Sequence, residues 1–156
     1  MRGGRTKLAS ATRRLVTEVY GSLDYDALGP VYCYEGGDEF WRAKRGLCER
    51  LGSRVAVLLR KKLPRGGRSL YVGAGVSELP AVMMETVELS RKVEPYNLRR
   101  AEVSVLNSAC HSIPLTFHAI DATRAKGRFD HLWMVSVLND PERFPHLSPL
   151  SYGRGN

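Results

Sequence analysis

The chain has 156 residues, 43% hydrophobic and 26% charged, with a formal net charge of +8. This composition is typical of a globular protein with one core, and no stretch approaches the run of about 18 apolar residues that a membrane span needs, so we expect a cytoplasmic protein with no membrane partner. Cysteine and histidine spacing matches neither a disulfide framework nor a metal site, which leaves no metal predicted.

The positive charge is concentrated in the first part of the chain. Residues 1–68 contain 15 Lys and Arg against 7 Asp and Glu, whereas residues 69–156 contain 9 of each. Such asymmetry indicates an anionic partner, for example a nucleic acid, an acidic protein or a lipid headgroup. The alternative is a set of solvated basic helix faces.

This basic region, residues 1–67, is predicted to be helical. A first helix is expected over about residues 5–20, and turn-forming residues follow at 21–30. A longer amphipathic helix is expected after Asp38, because apolar residues recur there at spacings of three and four. Its predicted buried stripe contains Phe40, Trp41, Leu47, Leu51, Val55, Leu58 and Leu59.

A strand, a turn and a helix are predicted next. The segment "SLYV" (69–72) is short and apolar, as a buried parallel strand would be, and Gly73 and Gly75 follow it directly. Ser77 is a plausible N-cap, and Pro80 is tolerated in a first helical turn.

Three later apolar segments, 101–107, 114–120 and 129–138, are predicted to be strands. Their arrangement with the helix predicts an α/β domain over residues 68–156, with a mostly parallel sheet, preceded by the N-terminal helices.

Glycines after a first parallel strand let a ligand approach the backbone, and the following helix directs free N–H groups toward it. A phosphate-binding P-loop is excluded, because no lysine followed by Ser or Thr comes after these glycines. A dinucleotide fingerprint is disfavoured, since its third glycine falls on Glu78, whose charge opposes a pyrophosphate.

The turn instead resembles the first motif of class I S-adenosylmethionine-dependent methyltransferases. "SLYVGAGVSELP" supplies Gly73 and Gly75, "FHAIDAT" resembles the strand that ends in an acid beside the adenine, and "GRFDHLWMVSVLND" resembles the fourth-strand motif. The resemblance covers roughly residues 65–145 and implies a Rossmann-like three-layer domain that binds S-adenosylmethionine. The cofactor contacts that it implies are Gly73, Ala74, Gly75, Asn107, Asp121 and Ala122.

Asn139 and Asp140 follow the predicted fourth strand and are the candidates for the substrate side, because α/β sheets bind ligands at the carboxyl ends of their strands. No catalytic residue is assigned. His111 is a lone loop histidine, for which a solvated or hydrogen-bonded role is the ordinary one.

The sequence also departs from the family pattern. Tyr71 stands where the family often has an acid, Ser77 replaces the third glycine, and Asn107 stands at the position of the ribose-binding acid. Four strands are predicted where family members have about seven. The remaining strands would then belong to a longer chain or to another molecule, and an exposed strand edge would favour a homodimer.

These observations lead to three hypotheses. The first is a methyltransferase-like protein that transfers a methyl group to an unidentified acceptor, with a small molecule favoured over a nucleic acid. The second is a basic nucleic-acid-binding module with an α/β scaffold, and the third is a relative that binds the cofactor without turnover.

Overall fold

The computed structural model describes residues 7–35 and 37–135. Its N-terminal region contains three helices: α1 (Ser10–Ser22), α2 (Tyr25–Leu28) and α3 (Gly37–Lys62), with a 3₁₀ segment at Pro30–Glu35 before α3. The following α/β region contains β1 (Arg68–Val72), α4 (Leu79–Val87), β2 (Lys92–Tyr96), α5 (Arg100–Ala109) and β3 (His131–Met134).

The described strands form a parallel sheet in the order β2–β1–β3. Val72 at the end of β1 pairs with Tyr96 of β2 on one side and with Met134 of β3 on the other. A further parallel bridge joins Tyr96 to His118, so the spatial order across the sheet is His118, β2, β1, β3. The prediction of an α/β fold with a parallel sheet is confirmed.

The helices described here cover one face of this sheet. Ser69 and Tyr71 of β1 are buried on that face, and both hydroxyls donate hydrogen bonds to the Glu85 carboxylate of α4. The opposite face carries Leu132 and Met134, which are 60% and 47% exposed. Between residues 7 and 135 the architecture therefore has helices on one side of a small sheet, and the full three-layer domain is not confirmed.

The prediction of a strand over 101–107 is wrong, because this segment belongs to α5. Its apolar residues lie at helical spacing and α5 buries Val103, Leu106 and Ala109. The second strand is instead β2, in a segment whose basic residues Arg91 and Lys92 and following Pro95 are typical of a helix C-terminus. Pro95 is accepted in β2 because its nitrogen faces away from β1, on the side where the pairing is only the short bridge to His118.

Two other predicted strands are shorter than expected. Within 114–120 the sheet pairing is limited to His118, and within 129–138 the described strand is β3.

The buried face of α3 differs from the predicted one. Leu47, Leu51 and Leu58 are exposed, whereas the helix buries Trp41 together with the small residues at positions 52 and 56. A Cβ atom placed on Gly52 would lie 2.8 Å from the carbonyl oxygen of Ser77 and 2.8 Å from Cγ of Pro80. The small residues at positions 52 and 56 thus let α3 pack closely against the start of α4.

We expect Gly52→Ala to destabilise the protein by about 1–3 kcal/mol, because the added methyl group collides with backbone that carries the turn into α4. Gly46→Ala on the same helix is the matched control: its Cβ would meet only the flexible end of Arg50, at 3.3 Å, and a gain of up to about 1 kcal/mol from helix propensity is expected. Urea unfolding of both variants measures the difference. Equal effects of the two substitutions would contradict the close packing at Gly52.

Candidate functional site at the carboxyl edge of the sheet

The turn after β1 lies where the carboxyl ends of β1, β2 and β3 meet. Gly73 has a φ of +71°, in the left-handed region that favours glycine, and it is exposed. Ala74 and Gly75 are buried, and a short 3₁₀ turn at Val76–Glu78 leads directly into α4. The predicted sequence of strand, glycine turn and helix is confirmed as structure.

The space beside Gly75 is filled by the protein itself. A Cβ atom on Gly75 would lie 2.5 Å from Oε1 of Glu102 and 3.3 Å from the hydroxyl oxygen of Tyr32. The same Glu102 oxygen accepts hydrogen bonds from the backbone N–H of Val76, at 3.3 Å, and from the Tyr32 hydroxyl. Gly75 is required here because a side chain would displace the Glu102 carboxylate from the Val76 amide.

Asn97, the residue after β2, is the second anchor of this cluster. Its Nδ2 donates to Oε2 of Glu102 at 3.0 Å and to the carbonyl oxygen of Ala74 at 2.9 Å. Its Oδ1 accepts from the backbone N–H of Arg99 at 2.9 Å. This side chain therefore links the end of β2 to both the turn after β1 and the start of α5.

Glu78 brings a second carboxylate to the turn. Its Oε2 accepts a hydrogen bond from the backbone N–H of Gly75 at 2.9 Å. Burial raises the pKa of Glu78, while the Gly75 N–H and the nearby indole of Trp133 act in the opposite direction. Two amides at the start of the 3₁₀ turn before α4, those of Gly75 and Val76, thus donate hydrogen bonds to the protein's own carboxylates, where a bound phosphate would otherwise accept them.

Two aromatic side chains border the turn. Burial, followed by the neighbouring Glu102, raises the pKa of the Tyr32 hydroxyl well above its ordinary value, so Tyr32 remains a hydrogen-bond donor at neutral pH. Trp133 of β3 stacks against Tyr71 with ring centroids 5.9 Å apart. The buried Nε1 of Trp133 interacts with the Glu78 carboxylate, although not at ideal hydrogen-bond geometry. Tyr32 and Trp133 therefore each interact with one of the two carboxylates of the turn, Glu102 and Glu78.

Asn107 does not lie at a strand end, because the segment that contains it is α5. Its Nδ2 donates to the carbonyl oxygen of Phe117 at 3.0 Å, and its Oδ1 accepts from the Phe117 N–H at 2.7 Å. Asn107 therefore holds the segment before His118 against α5. The position that follows the second strand is held by Asn97, which was not a predicted site residue because the second strand was expected at 101–107.

Asp121 and Ala122 are half-buried and follow the bridge at His118. Asp121 accepts a hydrogen bond from the backbone N–H of Thr123 at 2.9 Å and thereby caps a short 3₁₀ turn at Ala122–Arg124. His118 runs parallel to the end of β2, so the chain leaves the sheet here at the same edge as Asn97. The assignment of Asp121 and Ala122 to the cofactor stays a prediction.

Asn139 and Asp140, the candidates for the substrate side, lie outside the described residues.

Other kinds of site find little support in residues 7–35 and 37–135. They contain no cluster of three His, Cys, Asp or Glu side chains able to hold a metal ion. Burial raises the pKa of the Cys110 thiol to about 12, so this cysteine is an unreactive core residue. A cleft of about 360 Å³ lies between the end of α1, α2 and α5, and is lined by Ser22, Asp24, Ala27, Ala101, Ser104, Val105 and Ser108, none of which belongs to the glycine turn.

Comparisons with protein-family models, with curated proteins and with solved structures found no match to this chain. Among the helices described, none is long and apolar enough to cross a membrane. The geometry of the carboxyl edge is therefore the basis for inferring a function.

The raised pKa of Glu78 predicts a pH dependence of stability. Above the ordinary carboxyl pKa, the folded protein binds more protons at Glu78 than the unfolded chain does, so this residue's contribution to stability falls as pH rises through its folded pKa. Glu78→Gln keeps an acceptor for Gly75 and removes the titration. The variant should therefore gain stability relative to the wild type as pH rises from about 4.5, and the gain should level off above the folded pKa.

Glu88→Gln is the control of opposite sign. Burial acts to raise the pKa of Glu88, but hydrogen bonds from Arg60 and from the Ala9 amide outweigh it and lower the pKa. The Glu88 contribution develops between its lowered folded pKa and the ordinary carboxyl pKa, so this variant should lose stability relative to the wild type as pH rises toward about 4.5 and change little above it. Urea unfolding over about pH 3–8 measures both differences. A pH-independent difference for Glu78→Gln would contradict the buried carboxylate.

Proposed function

We propose that the carboxyl edge of this sheet binds S-adenosylmethionine and that the chain is the cofactor-binding part of a Rossmann-like methyltransferase. The observation that supports this most is the strand order. The chain adds β2 and then His118 on one side of β1, and it returns to add β3 on the other side. The strand order therefore reverses at β1, directly beside the Gly73 turn. Open α/β sheets bind their ligands in the crevice at such a switch point.

The charge of the turn supports a cationic ligand over a phosphate. Glu78 and Glu102 already bind the amides of Gly75 and Val76, and a pyrophosphate brought to these amides would meet two carboxylates. Adenosylmethionine instead carries a sulfonium and an ammonium group, which carboxylates attract. The chemistry of the available side chains therefore fits this cofactor better than it fits a nucleotide phosphate.

The available space favours the Gly73 side of the turn. Glu102 and Tyr32 fill the approach beside Gly75, whereas Gly73 is exposed. On this proposal the backbone of Gly73 and Ala74 contacts the amino-acid part of the ligand, and Asp121 faces the adenine. Asn97 takes the ribose position that the sequence analysis assigned to Asn107, through the second lone pair of its Oδ1.

When bound, the cofactor supplies an electrophilic methyl group on its sulfonium. The contribution of the chain is to orient the cofactor and the acceptor, because methyl transfer depends mainly on alignment of the acceptor with that methyl group. The carboxylates of Glu78 and Glu102 would stabilise the positive charge before transfer. A small-molecule acceptor is the proposed substrate, because Phe40 and Trp41, the aromatic residues near the basic segment, pack against Tyr32 and against each other and are thus engaged within the fold.

Isothermal titration with S-adenosylmethionine and S-adenosylhomocysteine tests the proposal, with ADP as the phosphate-containing control. We expect both cofactor forms to bind, adenosylmethionine more tightly because of its charge, and ADP not to bind. Gly73→Ala should weaken binding by about tenfold or more, because the methyl group intrudes on the exposed side of the turn.

Gly66→Ala is the matched control for backbone strain. Gly66 has a φ of +72°, almost the same as Gly73, and no atom lies within 4 Å of the position that its Cβ would occupy. This variant should carry a similar strain and leave the affinity within about twofold of the wild type. No measurable binding of either cofactor form to the wild type, or equal loss in both variants, would overturn the assignment of the turn.

A further inference from the structure

The outward face of α3 carries a stripe of leucines. Leu47, Leu51 and Leu58 are 50%, 58% and 63% exposed, although large apolar side chains on a helix ordinarily face a core. Spacings of four and seven residues place all three on one side of the helix, along about 16 Å of its length. We call these three residues the leucine face.

Basic residues surround the leucine face without acidic partners. The helical spacing puts five exposed cations on the same side of α3: Lys44, Arg50, Arg54, Lys61 and Lys62. None of them forms an ion pair in the part of the chain that the structure describes. The described carboxylates of α3 are engaged elsewhere: Glu39 pairs with Arg42 at 2.8 Å, and Glu49 accepts a hydrogen bond from Thr17 of α1.

The spacing along this face is that of a helix-pairing seam. Positions 44, 47, 51, 54, 58 and 61 are spaced alternately by three and four residues, which is the heptad spacing of the contact positions in paired helices. The leucines supply the apolar contacts of such a seam. Arg54 lies inside it, between Leu51 and Leu58, where a carboxylate on the facing helix would pair with its guanidinium.

We propose that the leucine face docks an acidic amphipathic helix of another protein. A second copy of this chain is disfavoured, because two such faces would bring ten cations together. A membrane surface fits less well, because inserting Leu51 and Leu58 would draw the Arg54 guanidinium between them toward the acyl chains. A nucleic acid would satisfy the cations but would gain no base stacking from leucines.

This surface is independent of the proposed methyltransferase site. It lies on α3, away from the glycine turn and from Asn97, and docking requires no cofactor. Failure of one proposal therefore leaves the other standing, and the two are measured with different probes.

Fluorescence anisotropy with a synthetic probe tests the docking. The probe is a labelled peptide of about three heptads with leucine at the two seam positions and glutamate at the flanking positions. The controls are a peptide of the same composition in scrambled order and a peptide with lysine in place of glutamate. The wild-type chain should bind the acidic heptad peptide at least about tenfold more tightly than either control peptide.

Two double variants separate seam docking from general charge attraction. Arg50→Glu with Arg54→Glu should weaken binding of the acidic peptide by about tenfold or more, and Leu51→Ala with Leu58→Ala should do the same without changing the charge. Arg13→Glu with Arg14→Glu on α1 is the charge-matched control and should change the affinity by less than about twofold, because both residues are exposed on another helix. Circular dichroism verifies that each variant is folded.

Equal affinity for the acidic and scrambled peptides would overturn the proposal, as would unchanged binding in the leucine variant. Anionic phosphatidylserine vesicles and duplex RNA are titrated in parallel. Tight binding to either one, lost with Arg50→Glu and Arg54→Glu while the acidic peptide fails to bind, would likewise overturn it and assign the face to that anion.

Discussion

The carboxylate of Glu102 is the constraint on which the carboxyl edge depends. It lies buried in the first turn of α5 and binds the Val76 amide, the Asn97 side chain and the Tyr32 hydroxyl. A buried carboxylate is stable only when its lone pairs are used, so these three partners must stay in place together. One side chain thereby joins the turn after β1, the end of β2 and the segment that precedes α3.

The same contacts connect the basic N-terminal helices to the sheet. Tyr20 of α1 donates a hydrogen bond to the carbonyl oxygen of Val76 at 2.7 Å, and the core cluster includes α1 residues such as Val16 beside α4 residues such as Leu79. The N-terminal helices therefore pack against the turn and the helix that carry the proposed cofactor site. Five of their cations lie on the exposed side of α3, where they surround the leucine face.

Local signals made part of this fold predictable. Glycines, a helix start and a short apolar run identify β1, its turn and α4 from neighbouring residues alone. The errors arose where tertiary contacts decide: β2 accepts Pro95 because of which neighbour its nitrogen faces, and α3 buries Gly52 because only a small residue lets it approach Pro80. Glu102 was missed because a carboxylate in a helix is ordinarily solvated, and no pattern in the neighbouring residues indicates that this one is buried.

Amide chemical shifts in solution test the central claim most directly, because they locate a ligand on the chain. In a ¹⁵N-edited titration with S-adenosylhomocysteine, we predict that the amides of Gly73, Ala74 and Asn97 show the largest chemical-shift changes. These changes should grow in proportion to the fraction of protein bound. Shifts confined to Ser104 and Ser108 in the cleft beside α5, or no shifts at all, would contradict a ligand site at the carboxyl edge of the sheet.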